Sequence, residues 1–404
     1  MAGNIFLFSS LLSQERLSWI EQSLHQYNIS SATMQDRQIS VKIDVTFFLT
    51  GDSIYSLIDS ETVHNWISIL SLPNIELVCD NDALIKRGFS VSHLTDRYSD
   101  RITVLPNTFD NGTTPFWSKL FNITTQNREK NAQGIGWVQI SSPHMYPGII
   151  EGSKYLSTAV NFGYNISIYG FLDGIHITHQ GQENPASQND RITLATLKKR
   201  AAEKNLTFSI LIHQYCAGAR GYVTWNDGQG NIGSSYTIQS AHIKSLEEII
   251  NHLRCNQVLL SENAGWFNSS LEDISLHPPF ITILITHSPY TTEYTYSGIS
   301  LATAFAHQGI RTRIVFLEDG VLALSGKQRT LEKSEQYTFP DLLNHLPNDK
   351  NIELFSLIPS FYARGTNQDA SLTYIRQIQY SDLGNLLYHS NNGRGQESQR
   401  IFIF

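Results

Sequence analysis

A strand–helix–strand unit that occurs more than once constrains the fold of this chain more than any other feature. In its clearest copy, an apolar run ends at Ser288-Pro289, a pair that cannot continue a central strand. Apolar residues then recur at helical spacing, and Gly309 stands where a helix C-terminal cap belongs. A second apolar run ends in Glu318-Asp319-Gly320. The pattern predicts a βαβ unit with strands over 281–286 and 313–317 and a helix over 295–307.

The same unit recurs 146 residues earlier without a gap. The identical residues fall on turns and caps, where backbone geometry restricts the choice of residue, so duplication explains them better than chance. The matched pairs are Ser142-Pro143 with Ser288-Pro289, Gly152 with Gly298, Gly163 with Gly309, and Asp173-Gly174 with Asp319-Gly320. A looser copy opens the chain, with strands over 4–8, 43–50 and 74–79 and a helix over 15–27.

These copies predict three α/β domains in tandem, over residues 1–106, 134–270 and 279–404. We expect each domain to be a parallel sheet of four or five strands with helices on both faces, and the second and third domains to superpose best. Residues 106–134 are rich in Asn, Thr, Gly and Gln, which is typical of a linker, here partly packed by its aromatic side chains. His277-Pro278-Pro279 marks the second boundary.

Composition and charge exclude several classes of protein. The chain has 404 residues, of which 41% are hydrophobic and 16% charged, as in ordinary globular proteins. Its formal net charge of -7 argues against a chain that wraps nucleic acid by itself, because that requires a basic face. No apolar run approaches the roughly 20 residues of a membrane span, and the N-terminal segment lacks a signal peptide's basic start and cleavage site. We therefore expect a cytoplasmic protein that contacts neither nucleic acid nor membrane directly.

The usual cofactor and hydrolase motifs are absent from the sequence. It contains no G-x-G-x-x-G, Walker or G-x-S-x-G element, so dinucleotide binding, NTP hydrolysis and α/β-hydrolase chemistry lack their usual marks. His144, His176 and His179 have no spacing that supports a metal site, and we expect neither metal nor cofactor. The three cysteines are too few for a disulfide framework and have no C-x-x-C spacing, so they are expected to be free thiols.

The carboxyl end of the third strand in each domain is the expected place for chemistry, because ligands collect at that edge of parallel sheets. In each domain a short segment follows this strand and closes with Arg-Gly. Counting eight residues back from that glycine gives Asp80, His213 and Leu357. Cys216 lies three residues after His213, one turn along if the segment is helical. A helix N-terminus and the nearby histidine would both favour its thiolate, which could carry a persulfide sulfur.

A structural role remains an alternative for each of these residues. A cysteine at a strand end is most often a small buried apolar group, and this interpretation is favoured for Cys79 and Cys255. For Cys216 the two interpretations are balanced, because it lies in the expected segment beside a histidine. His213 itself fits a structural role as well as a catalytic one. The Asp-Gly pairs at 173–174 and 319–320 are expected to be turns.

The three units resemble the DsrE/DsrF/DsrH family, which includes the TusB, TusC and TusD subunits of a bacterial sulfur relay. The first, with CDNDALIKRGF, is similar to TusB/DsrH. The second, with SSPHMYPGIIEGSKYLSTAVNFGY, FLDGI, NPASQNDR and ARGYV, is similar to TusD/DsrE. The third, with FLEDGVLALSGKQ, is similar to TusC/DsrF. The resemblance extends over nearly the whole chain except residues 106–134.

The resemblance implies a sulfurtransferase that accepts persulfide sulfur from a TusA-like carrier and passes it to a downstream acceptor protein, as in Tus systems, where the sulfur ends in 2-thiouridine of tRNA. A role in sulfur oxidation, as in Dsr systems, and a non-catalytic scaffold are the alternatives. The family's cysteine position holds His213 here and Leu357 in the third unit. Either Cys216 has taken over from one turn away with His213 beside it, or the segment aligns with a gap, or the chemistry is lost. The pairing of units in the family also implies a homodimer.

Overall fold

The computed structural model describes residues 4–33, 44–98, 101–106, 108, 113–125, 134–142, 148–179, 194–226, 232–238, 240–267, 280–289, 292–325, 343–344, 346, 349–388 and 399–404. Its strands are β1 (Asn4–Phe8), β2 (Val45–Leu49), β3 (Ile75–Asp80), β4 (Ile102–Leu105), β5 (Gly134–Gln139), β6 (Ile166–Gly170), β7 (Phe208–His213), β8 (Trp225–Asn226), β9 (Ile232–Gly233), β10 (Ala241–Lys244), β11 (Asn256–Ser261), β12 (Asn263–Phe267), β13 (Phe280–Ile285), β14 (Thr312–Phe316), β15 (Ile352–Leu357), β16 (Arg376–Ile378) and β17 (Gln399–Ile403).

The α-helices span Gln14–Thr33, Val63–Ser71, Asn81–Lys86, Val91–Tyr98, Pro115–Thr125, Gly148–Asn161, Leu194–Glu203, Gln214–Ala219, Leu246–Leu253, Tyr294–His307, Ile358–Ala363 and Tyr380–Tyr388. Among the described residues, 3₁₀ helices span Gly51–Leu57, Leu172–Thr178 and Glu318–Leu324. We call residues 4–105 the first unit, 134–261 the second and 280–404 the third. No helix in the described part of the chain is long and apolar enough to cross a membrane.

The second and third units have the same sheet topology. Their strands lie in the orders β10-β7-β6-β5-β11 and β16-β15-β14-β13-β17, and all neighbours within each group are parallel. The first unit contributes the parallel group β1-β2-β3-β4. The prediction of an α/β protein with parallel groups of four or five strands is therefore confirmed.

The expectation of a separate sheet for each unit is wrong for the first and third units. β12 follows directly on the second unit and pairs antiparallel with both β1 and β17. It thereby joins the two groups into one sheet of ten strands. Close packing holds it there, because a Cβ on Gly265 would lie 2.9 Å from Ile401 Cδ1. The three-domain division stays a prediction, because a shared sheet does not test where the domain boundaries lie.

The segment expected to be a linker contains the helix Pro115–Thr125. Phe116 packs edge-on against Phe48 of the first unit at 5.4 Å between ring centroids, and Phe121 stacks on Phe162 of the second unit at 4.8 Å. The expected packing of aromatic side chains is confirmed, and it connects the first two units.

The Asp-Gly pairs expected to be turns lie instead in the 3₁₀ helices that follow β6 and β14. Neither glycine has a positive φ; the left-handed residues are Leu172 and Glu318, two positions earlier. What requires glycine is close approach of two backbones. A Cβ on Gly174 would lie 2.1 Å from the Gln139 carbonyl oxygen, and one on Gly320 would lie 2.0 Å from that of Ile285.

Candidate functional site

The same short helix follows the third strand in all three units. The helices Asn81–Lys86, Gln214–Ala219 and Ile358–Ala363 begin after Asp80, His213 and Leu357 and end at Arg87, Arg220 and Arg364. A glycine with positive φ follows each arginine, at Gly88, Gly221 and Gly365, where the left-handed conformation stops the helix. The segments that close with Arg-Gly are thus equivalent in structure as well as in sequence.

Each of the three arginines binds an aspartate of its own unit's 3₁₀ helix. The Nε–Oδ1 distances are 3.1 Å for Arg87–Asp52, 2.7 Å for Arg220–Asp173 and 2.7 Å for Arg364–Asp319. Arg220 and Arg364 also reach the next unit, binding Glu293 and Glu15 at 2.8 Å. The arginines therefore fix the short helix against the 3₁₀ helix and tie neighbouring units together.

Cys216 lies in the second of these helices and contacts His213 and Leu172. Its Sγ lies 3.1 Å from Nδ1 of His213, one turn earlier, as the spacing predicts. The backbone N–H of Leu172 donates a hydrogen bond to the same sulfur. Leu172 has φ +50°, an unusual conformation for a leucine. The structure thus brings together the two residues that the sequence nominated and adds a backbone donor that the sequence did not indicate.

Cys216 is buried and has a raised pKa, whereas the helix N-terminus and His213 were expected to favour its thiolate. Only 3% of the residue is exposed. Burial raises the pKa of the Cys216 thiol, and the hydrogen bond from Leu172 and the charge of Arg220 offset this only in part. The loss of hydration that a buried thiolate would suffer raises the pKa more than the N-terminus of the short helix lowers it. Cys216 is therefore a thiol, not a thiolate, at neutral pH in the protein without a ligand.

His213 is a neutral imidazole at neutral pH. Burial lowers the pKa of its ring to about 4. The ring packs against Phe171 at 5.6 Å and Tyr215 at 6.3 Å between centroids. It therefore does not favour the Cys216 thiolate by positive charge. In one tautomer Nδ1 accepts the thiol proton, and in the other it donates to a sulfur anion.

A cavity of about 190 Å³ lies against Cys216, between the second and third units. The second unit lines it with Phe171, Leu172, His213, Tyr215, Cys216 and Leu246, and the third unit lines it with Glu293, Tyr296, Ser297, Ser300 and Leu301. Tyr215 and Tyr296 are exposed. The sequence did not predict that the third unit lines this cavity. The spacing of Tyr296 and Leu301 indicates one face of a helix, but nothing in the sequence places that face opposite Cys216.

The equivalent sites in the other two units carry no thiol. Ala83 occupies the position in the first unit and Ser360 in the third. Ser360 Oγ accepts a hydrogen bond from the backbone N–H of Glu318 at 3.0 Å, as Cys216 does from Leu172. The local backbone is therefore shared by the second and third units, and only the second unit holds a sulfur nucleophile there.

The other candidates lie outside this site. Cys79 is fully buried in the core, in agreement with the structural interpretation, and burial raises the pKa of its thiol. Cys255 is exposed, so the expectation of a buried structural thiol is wrong for it. His176 contacts Tyr222 at 2.8 Å, while His144 lies outside the described residues. Within the described ranges, no group of three or more His, Cys, Asp or Glu is placed to hold a metal ion.

The comparison with protein families bears on the third unit. Residues 280–394 match the DsrE/DsrF-like family. The matched range contains β13 to β16 and the helix Ile358–Ala363, the elements whose counterparts in the second unit carry His213 and Cys216. The match supports the family resemblance. A search of curated proteins found no match.

Proposed function

We propose that this protein is a single-chain sulfur relay, the counterpart of a TusBCD or DsrEFH complex with units in the order TusB-like, TusD-like and TusC-like. In this proposal it takes persulfide sulfur from a TusA-like carrier in the cytoplasm and delivers it toward 2-thiouridine synthesis on tRNA. The DsrE/DsrF-like match in the third unit supports the class of function. The shared sheet order of the second and third units extends that support to the unit with the cysteine.

The observation that carries the proposal is the position of Cys216. It is a thiol at the carboxyl edge of a parallel sheet, in contact with an imidazole and a backbone N–H, and it faces a cavity. Ligand sites of open parallel sheets lie at this edge. A structural cysteine in a packed core has no need of a cavity or of a hydrogen-bond donor aimed at its sulfur.

The proposed step conserves atoms and electrons. Sγ of Cys216 attacks the terminal sulfur of a carrier persulfide, R–S–SH, and the S–S bond of the carrier breaks as the new S–S bond forms. The products are Cys216–S–SH and the carrier thiol R–SH, which receives the proton that Cys216 loses. Neutral His213 accepts that proton at Nδ1 and passes it to the leaving thiolate. The Leu172 N–H stabilises negative charge on Sγ during the exchange.

A non-catalytic scaffold is the second candidate, and the burial of Cys216 favours it. A buried thiol with a raised pKa reacts slowly unless a partner brings the donor into contact with it. In that case the chain would keep the fold and the docking surface for a carrier but would accept no sulfur.

Sulfur loading distinguishes the two candidates. The native protein is incubated with a persulfide donor, and the added sulfur is located by peptide mass spectrometry. The relay predicts the mass of one sulfur atom on Cys216, abolished by Cys216→Ser and retained in Cys255→Ser. Loss of loading in Cys216→Ser counts only if its thermal unfolding matches that of the parent. A native protein whose Cys216 never gains sulfur contradicts the relay and leaves the scaffold.

A further inference from the structure

We infer that the third unit selects what reaches Cys216, through Ser297 and Ser300, and that these two small residues admit a slender alkyl persulfide. The inference rests on the proposed function for the identity of the ligand. Its structural part, that these serines keep the site open, stands on the comparison of three equivalent clefts. Each cleft lies between the carboxyl edge of one unit's sheet, where the short helix and the 3₁₀ helix lie, and the first long helix of the next unit.

The first long helices of the second and third units correspond residue for residue. Gly148–Asn161 and Tyr294–His307 both have 14 residues and are related by the same shift of 146 positions as the rest of the unit. By this shift Glu151 corresponds to Ser297, and Lys154 to Ser300. The first cleft, formed by Asn81–Lys86 and Gly148–Asn161, therefore shows what larger side chains do at the positions of the two serines.

In the first cleft these positions are filled by the longer side chains of Glu151 and Lys154. Lys154 Nζ lies 2.9 Å from Asp82 Oδ2, 3.5 Å from Glu151 Oε2 and 3.8 Å from Asp80 Oδ2. Asp80 is the counterpart of His213, so the lysine reaches the place where the second unit has its site. Lys154 and Glu151 are both buried. The cleft is thus bridged by Lys154.

The third cleft is filled by a different set of side chains. It lies between the 3₁₀ helix Glu318–Leu324 of the third unit and the helix Gln14–Thr33 of the first. Glu318, the counterpart of Leu172, accepts hydrogen bonds from Arg16 Nε at 2.9 Å, Arg16 Nη2 at 3.0 Å and Trp19 Nε1 at 2.9 Å. All three side chains are buried. A paired carboxylate and guanidinium with an indole occupy this cleft.

The second cleft alone combines a thiol with small facing residues. A cavity of about 190 Å³ accommodates the end of one side chain but not a folded surface. The lining is mostly aromatic and aliphatic, with hydroxyls from the two serines. Apart from Glu293, which is exposed and paired with Arg220, the described residues of the lining carry no ionised group, so it suits an uncharged alkyl chain that ends in S–SH.

The test introduces a lysine at Ser300, the position in the second cleft that corresponds to Lys154 in the first. In a Cys255→Ser background, Ser300→Lys should slow the reaction of Cys216 with methyl methanethiosulfonate by about tenfold or more. This small neutral reagent forms Cys216–S–S–CH₃ and releases methanesulfinate. His307→Lys adds the same side chain at an exposed position of the same helix and should leave the rate unchanged. Ser300→Ala keeps the cleft open and should react much faster than Ser300→Lys.

The outcomes separate this inference from the proposed function. Equal rates in Ser300→Lys and the parent, with Cys216 reacting in both, overturn the inference. Should Ser300→Lys fail to fold, Ser297→Gln fills the same cleft without charge and is held to the same criterion. In another outcome, the parent reacts with the thiosulfonate and Ser300→Lys does not, while neither accepts sulfur from an alkyl persulfide. That result supports the inference that the serines keep the cleft open and contradicts the sulfur relay.

Discussion

At the scale of single residues, the site rests on a thiol that is buried and yet faces a cavity. Because burial raises its pKa, little of it is thiolate at neutral pH in the protein without a ligand. In the proposed relay, a persulfide that enters the cavity brings its own leaving group, and neutral His213 is in contact with Cys216 to take the proton. The backbone N–H of Leu172 then lies beside the sulfur that gains charge.

We expect the stability of the protein to fall as the pH drops from about 6.5 to about 4, in part because of His213. The folded ring has a pKa of about 4, whereas the ring in the unfolded chain keeps a pKa near 6.5. Between these values the unfolded chain binds a proton that the folded chain does not, so unfolding is favoured as pH falls. The full stability is present above pH 6.5, and the loss is on the order of 2–3 kcal/mol.

Chemical denaturation at several pH values measures this effect. His213→Asn has no group that titrates in this range, so its free energy of unfolding should depend less on pH than that of the parent. The matched control is His307→Asn, at an exposed position, which should keep the parental dependence. Parallel curves for His213→Asn and the parent would contradict the assignment.

At the scale of elements, the sequence repeat predicted the helices and strands of the repeated unit to within about one residue. The helix expected over 295–307 is observed as Tyr294–His307, and the strand expected over 313–317 as Thr312–Phe316. Counting back from Arg-Gly found the N-terminal ends of all three short helices. The Asp-Gly pairs were expected to be turns but lie in 3₁₀ helices. The sequence does not reveal that a carbonyl from another strand lies against the glycine.

Gly174→Ala and Gly320→Ala should each destabilise the protein by about 2 kcal/mol or more, because the added methyl group collides with a backbone carbonyl that cannot rotate away. Gly218→Ala is the control: a Cβ there meets nothing within 4 Å, and the residue lies in a helix. It should be neutral or slightly stabilising. Equilibrium unfolding provides the comparison, and a cost for Gly174→Ala no larger than that for Gly218→Ala would show that the close approach is not strict.

At the scale of the whole molecule, the three units form a cyclic series of contacts. The first meets the second through Lys154, the second meets the third through Arg220 and Glu293, and the third returns to the first through Arg364 and Glu15. Neither this arrangement nor the insertion of β12 between β1 and β17 was predictable. Both depend on contacts between residues far apart in the chain, which local periodicity does not encode. The sequence therefore predicted His213 and Cys216 but not the residues of the third unit that line the same cavity.

The order in which the cysteines accept sulfur tests the central claim most directly. Cys255 is exposed, whereas Cys216 is buried beside His213 in the interface cavity. Under limiting alkyl persulfide, the account predicts that Cys216 gains sulfur before Cys255 in a time course read by peptide mass spectrometry. Loading that begins at Cys255 and reaches Cys216 only on unfolding would show that accessibility alone governs the reaction, and it would contradict a relay through Cys216.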